Sequence, residues 1–157
     1  MESKNMPVDD VCIIERDINC EDARILLDEL NSVLTVITGD NGTSNFKADD
    51  TRMDKSVFVI AYFDNVPCGC GAIRKMSETT AEIKRIYARK NEHGVGYKVV
   101  SALEEKARQF GYNRLLLETR VQNVHAIDFY HKMGYIHCEP YGRYVGKENA
   151  YCFEKEI

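Results

Sequence analysis

The chain has no tryptophan, only three prolines in 157 residues, and no apolar run near the roughly 20 residues that a membrane helix needs. A membrane-spanning reading is therefore excluded, and no linker, internal repeat or low-complexity tract argues for disorder. Positive charge is not in excess. Lys and Arg number 21 against 25 Asp and Glu, a net charge of −4, which speaks against nucleic-acid binding through bulk electrostatics. The opening MESKNMPVDD lacks the basic start and apolar block of a secretion signal, so a cytoplasmic location is expected. Six cysteines (Cys12, Cys20, Cys68, Cys70, Cys138, Cys152) fall at irregular spacing and read as reduced thiols. Cys68 and Cys70 form a C-x-C with no second pair, and His93, His125, His131 and His137 show no pairing, so no metal is expected.

What is present reads as one α+β domain over residues 1–157. VCIIERD (11–17) is a strand, and Asn19 is placed to cap a helix with Ala23, Leu26, Leu27, Leu30 and Leu34 at helical spacing. Residues 38–55 are polar and glycine-bearing, as in a long functional loop. SVFVIAYFDNVPCGCGAIRKM (56–76) is a hairpin turning at Asp64-Asn65. TAEIKRIYARK is a further strand. After Gly94 a helix carries Val95, Val99, Ala102, Leu103 and Phe110 and stops at Gly111. NRLLLETR is a nearly continuous apolar strand suited to a sheet centre. Asn123 to Met133 is a helix ending at Gly134, and YIHCEP and AYCFEKEI are closing strands. The expected fold is a mixed, mostly antiparallel sheet of about six to seven strands between helices, in three layers.

The stretch NEHGVGYKVV places Gly94 and Gly96 at a helix start. Position 99 is valine and Gly96 is followed by Tyr97, so both the dinucleotide fingerprint and the P-loop fail. A turn of this kind offers free N–H groups and the positive end of the helix dipole to a pyrophosphate, though glycine also serves any tight bend.

Taken together, AEIKRIYARKNEHGVGYKVVSALEEKARQFGYNRLLLETRVQNVHAIDFYHKMGY resembles the acyl-CoA-binding core of the GNAT superfamily of N-acyltransferases, over residues 57–137. The resemblance implies acetyl-CoA as co-substrate and a small bacterial-type single-domain enzyme. By it, Ile86, Tyr87 and Ala88 pair with the pantetheine arm as an added strand. His93, Gly94, Val95, Gly96, Tyr97 and Lys98 hold the pyrophosphate. Asn123, Ala126 and Lys132 also touch the cofactor; Asn123 serves equally as a helix cap, and Lys132 as an exposed lysine. Asn91 and Glu92 depart from the family pattern, and the acidic Glu92 is offset by Arg89, Lys90 and Lys98.

Amide formation from a thioester needs a deprotonated amine, an oxyanion site and an acid for the departing thiolate. The resemblance makes Glu82 the candidate base, Tyr130 the general acid and a backbone N–H near Tyr87 the oxyanion donor. The plain alternatives are a solvent-facing ion-pair stripe of Glu82, Lys84 and Arg85, and a core aromatic at Tyr130. Asn123, Ile127 and Tyr130 share one helix face. The acceptor site falls to residues 36–55 and 138–157, with Asp40 for a cation, Arg143 for an anion and Tyr141 and Tyr144 as walls; beside Glu82, Lys84 and Arg85 are placed to orient an acidic group on the substrate. The function implied is transfer of acetyl to a primary amine of a small molecule in a ternary complex, by a protein compatible with a homodimer. An acyl-CoA-binding regulatory module without turnover and a protein or peptide acetyltransferase are the alternatives.

Overall fold

The computed structural model describes residues 10–43, 46–90 and 93–157. The elements are β1 (Val11–Glu15), α1 (Glu21–Thr38), a 3-10 turn (Ala48–Arg52), β2 (Val57–Phe63), β3 (Val66–Lys75) and β4 (Thr80–Ala88). They continue with α2 (Val95–Phe110), β5 (Arg114–Arg120), α3 (Val124–Lys132), β6 (Ile136–Cys138), a second 3-10 turn (Gly142–Tyr144) and β7 (Ala150–Glu156). All seven strands join one mixed sheet in the order β1-β2-β3-β4-β5-β7-β6.

Strand alternation sorts side chains onto two faces. Val57, Val59, Ile73, Ile83, Leu115 and Leu117 meet Val95, Val99 and Leu103 of α2 and Tyr130 of α3. Phe58, Ile60, Cys70 and Ala72 meet Ala23 and Leu26 of α1 on the other face. A Cβ at Gly71 would lie 2.5 Å from Ile86 Cδ1 and 2.9 Å from Val99 Cγ1, so the missing side chain lets α2 settle close on β3 and β4. Asp64 and Asn65, with φ of 53° and 64°, close the β2–β3 hairpin as a two-residue turn with both positions left-handed.

Three boundaries differ from expectation. Cys20 is the N-cap of α1, because the Asn19 N–H is taken by Asp17 Oδ1 at 2.8 Å and the turn ends one residue later. The long loop before β2 contains a 3-10 turn, where Asp50 Oδ2 accepts the Lys47 N–H at 2.9 Å. The strand expected at 135–140 shrinks to Ile136–Cys138, since Tyr135 turns inward and its hydroxyl donates to Glu104 Oε2 at 2.7 Å.

Two irregularities decide where ligands go. β4 and β5 are parallel and pair only through Thr80–Glu82 and Arg114–Leu116. Beyond that seam β4 stays with β3 to Ala88 and β5 stays with β7 to Arg120. The strands diverge, and each presents an inner edge that the other does not pair. The second irregularity is a bulge: Ala72 pairs Lys84 and Cys70 pairs Tyr87, so β4 holds one extra residue, and Arg85 takes a left-handed φ of 58°. The extra residue resets the alternation. Ile83, Ile86 and Ala88 face α2, while Arg85 reaches across the opposite face to Asn31 of α1.

Candidate active site

The divergence of β4 and β5 opens a cleft between them. Its walls are residues 83–86 of β4 and 117–120 of β5, with Asn123, Ala126 and Tyr130 of α3 and Leu34, Thr38, Asp40 and Gly42 from the end of α1.

Asn123 caps α3, its Oδ1 accepting the Ala126 N–H at 3.2 Å, and it lines the cleft as well. Ala126 rather than Ile127 lines the cleft beside Asn123 and Tyr130. Tyr130 is wedged between Phe129, Tyr135 and Phe153, at centroid distances of 5.0, 5.6 and 5.9 Å. Burial pushes its phenol up. Its hydroxyl has no hydrogen-bond partner among the described residues, so it stays protonated and its proton is uncommitted.

Glu82 is fully buried, which overturns the picture of a solvent-facing stripe: β4 is a central strand covered on both faces. Arg74 Nε donates to Glu82 Oε1 at 2.8 Å, and the Tyr141 hydroxyl donates to Oε2 at 2.5 Å. Lys84 Nζ stands 3.9 Å from Oε2, and Arg74 also pairs with Asp50 at 2.9 Å. Glu82 thus sits behind the cleft wall. Lys84, whose pKa burial lowers, donates to the Tyr144 hydroxyl at 2.8 Å. Tyr141 and Tyr144 meet edge to face at 5.3 Å and brace Glu82 and Lys84 from behind, while Arg143 is exposed.

The acid that β5 turns to the cleft is Glu118, which the sequence reading passed over. Its Oε2 is buried without a hydrogen-bond partner. Burial raises its pKa, with Arg120 and Lys84 pulling the other way. Arg120 Nε lies 3.4 Å off without hydrogen-bond alignment. A signal was available, since a lone carboxylate after LLL in a central strand has nowhere dry and apolar to go. Asp40 Oδ2 pairs with Arg120 at 3.2 Å and Oδ1 accepts the Gly42 N–H at 3.2 Å. That backbone bond, with Arg120, holds its carboxyl below the ordinary range.

At the far end of β4, Glu29 of α1 anchors the strand. It accepts from the Tyr87 hydroxyl at 2.9 Å and from Arg89 through both oxygens, at 2.9 and 2.7 Å. Arg89 is thus engaged by an acid of α1. His93 stacks on Phe63 at 4.1 Å. Gly94 caps α2 in a left-handed conformation (φ 64°) with no side-chain bond, and the first turn of the helix carries no acid. A Cβ on Gly96 would meet only Phe129 ring carbons at 3.5 and 3.6 Å and Ala88 Cβ at 3.8 Å. Tyr97 is exposed and Lys98 half-exposed beside it. Lys132 is exposed on α3 and paired with Asp128 at 3.0 Å, away from the cleft. Asn91 and Glu92 lie outside the described residues. All six cysteines are free.

The sheet thus splays between two parallel strands, with a helix N-terminus following the end of one of them. The chain belongs to the acetyltransferase (GNAT) family, whose family model matches residues 25–135. It is 33% identical over 103 residues to the IAA acetyltransferase of Azospirillum brasilense, covering 64% of this chain and 67% of that one. It is 32% identical over 93 residues to the uncharacterized N-acetyltransferase YsnE of Bacillus subtilis, covering 57% and 62%. The chain thus matches about two thirds of those relatives' length. In fold it is similar to a GNAT acetyltransferase of Elizabethkingia anophelis with acetyl-CoA bound (TM-score 0.69, 15% identity, 94% and 98% of the two chains). It is also similar to the PaiA N-acetyltransferase of Thermoplasma acidophilum in complex with coenzyme A (TM-score 0.69, 15% identity, 94% and 99%). No described helix is long and apolar enough to cross a membrane.

Proposed function

We propose that the protein is an acetyl-CoA-dependent N-acetyltransferase that acetylates a primary amine of a small molecule within a ternary complex. One observation carries this reading: a single cleft holds an uncommitted phenol, Tyr130, and a buried carboxylate oxygen of Glu118 that accepts no hydrogen bond.

The residues present fit the co-substrate. The inner edge of β4 from Ile86 to Ala88 offers main-chain groups to the pantetheine arm. The first turn of α2, from Val95 to Tyr97, has N–H groups without intrahelical acceptors, next to Gly94 and Gly96, for the pyrophosphate. When bound, acetyl-CoA supplies an activated acetyl group on a thiol leaving group.

Glu118 takes a proton from the acceptor's ammonium, whose pKa near 10.4 for an alkylamine keeps it charged at neutral pH. Its raised pKa strengthens it as a base. Tyr130 donates its hydroxyl proton to the departing sulfur and recovers one from the acylated nitrogen through solvent. Asn123 holds the start of α3 and so the height of Tyr130 in the cleft. Glu82 is a positioning residue: it fixes Arg74, Tyr141 and Lys84, and through Lys84 the field at Glu118.

Thiol release from acetyl-CoA across a panel of amines, run beside Tyr130→Phe, tests the reading. Wild-type release with at least one amine, lowered about 10²-fold or more in the variant, is expected. Tight coenzyme A binding with no release from any amine would replace it with a non-catalytic binding module.

A further inference from the structure

We infer that the acceptor amine is itself an acid, an amino-acid-like molecule whose carboxylate seats on Arg85 while its amine faces Glu118. This rests on the acetyl-transfer reading and narrows its acceptor class.

Arg85 is the cation in the cleft wall without an acid. Its guanidinium donates to the Asn41 carbonyl at 3.2 Å and to Asn31 Oδ1, both neutral, and no carboxylate among the described residues pairs with it. Burial lowers its pKa; the Cys70 thiol pulls the other way, and no carboxylate among the described residues does. The neighbouring cations are each compensated. Arg74 has Glu82 and Asp50, Lys84 has Glu82, Arg120 has Asp40 and Glu118, and Arg89 has Glu29. Two of the five guanidinium donors are used, which leaves a fork matched to a carboxylate.

The backbone is built for this placement. Regular alternation would send Arg85 toward α2, opposite to Lys84. The bulge, with a left-handed conformation that an arginine adopts only at a cost, puts it on the α1 side, in the same cleft as Glu118. A half-buried cation without an acid and a buried carboxylate oxygen without a donor then share one cleft. An amino acid's carboxylate and amine satisfy both at once, whereas a plain amine leaves Arg85 uncompensated and is rejected.

The test titrates coenzyme A-saturated protein with N-acetylglycine and N-acetyl-β-alanine, against N-methylacetamide and N-ethylacetamide, which lack the carboxylate. At least one acid should bind about tenfold or more tightly than its matched amide. Arg85→Gln should erase that preference, and Arg85→Lys, which keeps the charge and guards against misfolding, should retain part of it. Equal binding of acids and amides by the wild type overturns the inference. Thiol release is then measured with glycine and β-alanine against methylamine and ethylamine. Release that favours the acids is expected. Equal release from both overturns the inference and leaves acetyl transfer standing. No release from any amine, with the acids still bound preferentially, overturns acetyl transfer and leaves the carboxylate seat.

Discussion

Gly96→Ala is expected to stabilise the protein and weaken cofactor binding at the same time. Gly96 is the second residue of α2 and is absent from the positive-φ glycines, so its backbone already suits alanine. The new methyl lands at ordinary contact distance, 3.5 Å from Phe129 and 3.8 Å from Ala88 Cβ, and displaces nothing. Alanine over glycine is worth up to about 1 kcal/mol in a helix interior and somewhat less in the first turn. For a chain of this size that corresponds to a melting temperature about 1–4 °C higher. The same methyl lies where the start of α2 meets the ends of β4 and α3, the place assigned to the pyrophosphate end of the cofactor. Coenzyme A affinity by isothermal titration should therefore fall about tenfold or more. Differential scanning fluorimetry without ligand supplies the other half. A lower melting temperature would show that the packing argument is wrong, and unchanged coenzyme A affinity would remove the turn from the binding site.

Other substitutions separate chemistry from scaffold. Glu118→Gln should lower kcat about 10²- to 10⁴-fold, whereas Glu82→Gln should mainly lower stability, read by urea melts; a larger kcat loss in Glu82→Gln would return the base to β4. Because burial raises the Glu118 pKa and only its ionised form accepts a proton, kcat/KM should fall with acidification through a midpoint above the ordinary glutamate value of about 4.3, and Glu118→Gln should lose that limb. The stability linkage has a fixed sign: a raised carboxyl favours the fold below its unfolded pKa, and that contribution is lost as pH rises through its folded value. Arg74→Met should cost about 3–5 kcal/mol in urea unfolding, since it strands a fully buried Glu82 carboxylate. Gly71→Ala drives a methyl to 2.5 Å from Ile86 Cδ1 and should cost about 1–3 kcal/mol, most directly read as a lower melting temperature.

The parts of this architecture visible in the sequence are those set by neighbours along the chain. Asp64-Asn65 announces a tight hairpin because few other pairs tolerate two left-handed positions, and Gly111, with φ of 95°, ends α2 where the periodic pattern stops. The face of α3 that holds Asn123 and Tyr130 follows from helical spacing. Strand register does not follow in that way. Nothing local in EIKRIY says that β4 carries an extra residue, and the side on which Arg85 emerges depends on that one insertion. The base assignment fell on Glu82 rather than Glu118 for the same reason. The two occupy separate strands, and only the point at which β4 and β5 part decides which carboxylate is sealed behind the wall and which lines the opening.

The short seam between β4 and β5 has one more consequence. Unpaired strand edges at the rim of a sheet invite other chains to add on and aggregate. Here the vacant edges lie in the middle of the sheet, each shielded by its outer neighbour. A second chain would have to enter between two strands of one sheet to zip onto them, so the gap favours a slender ligand over an added strand.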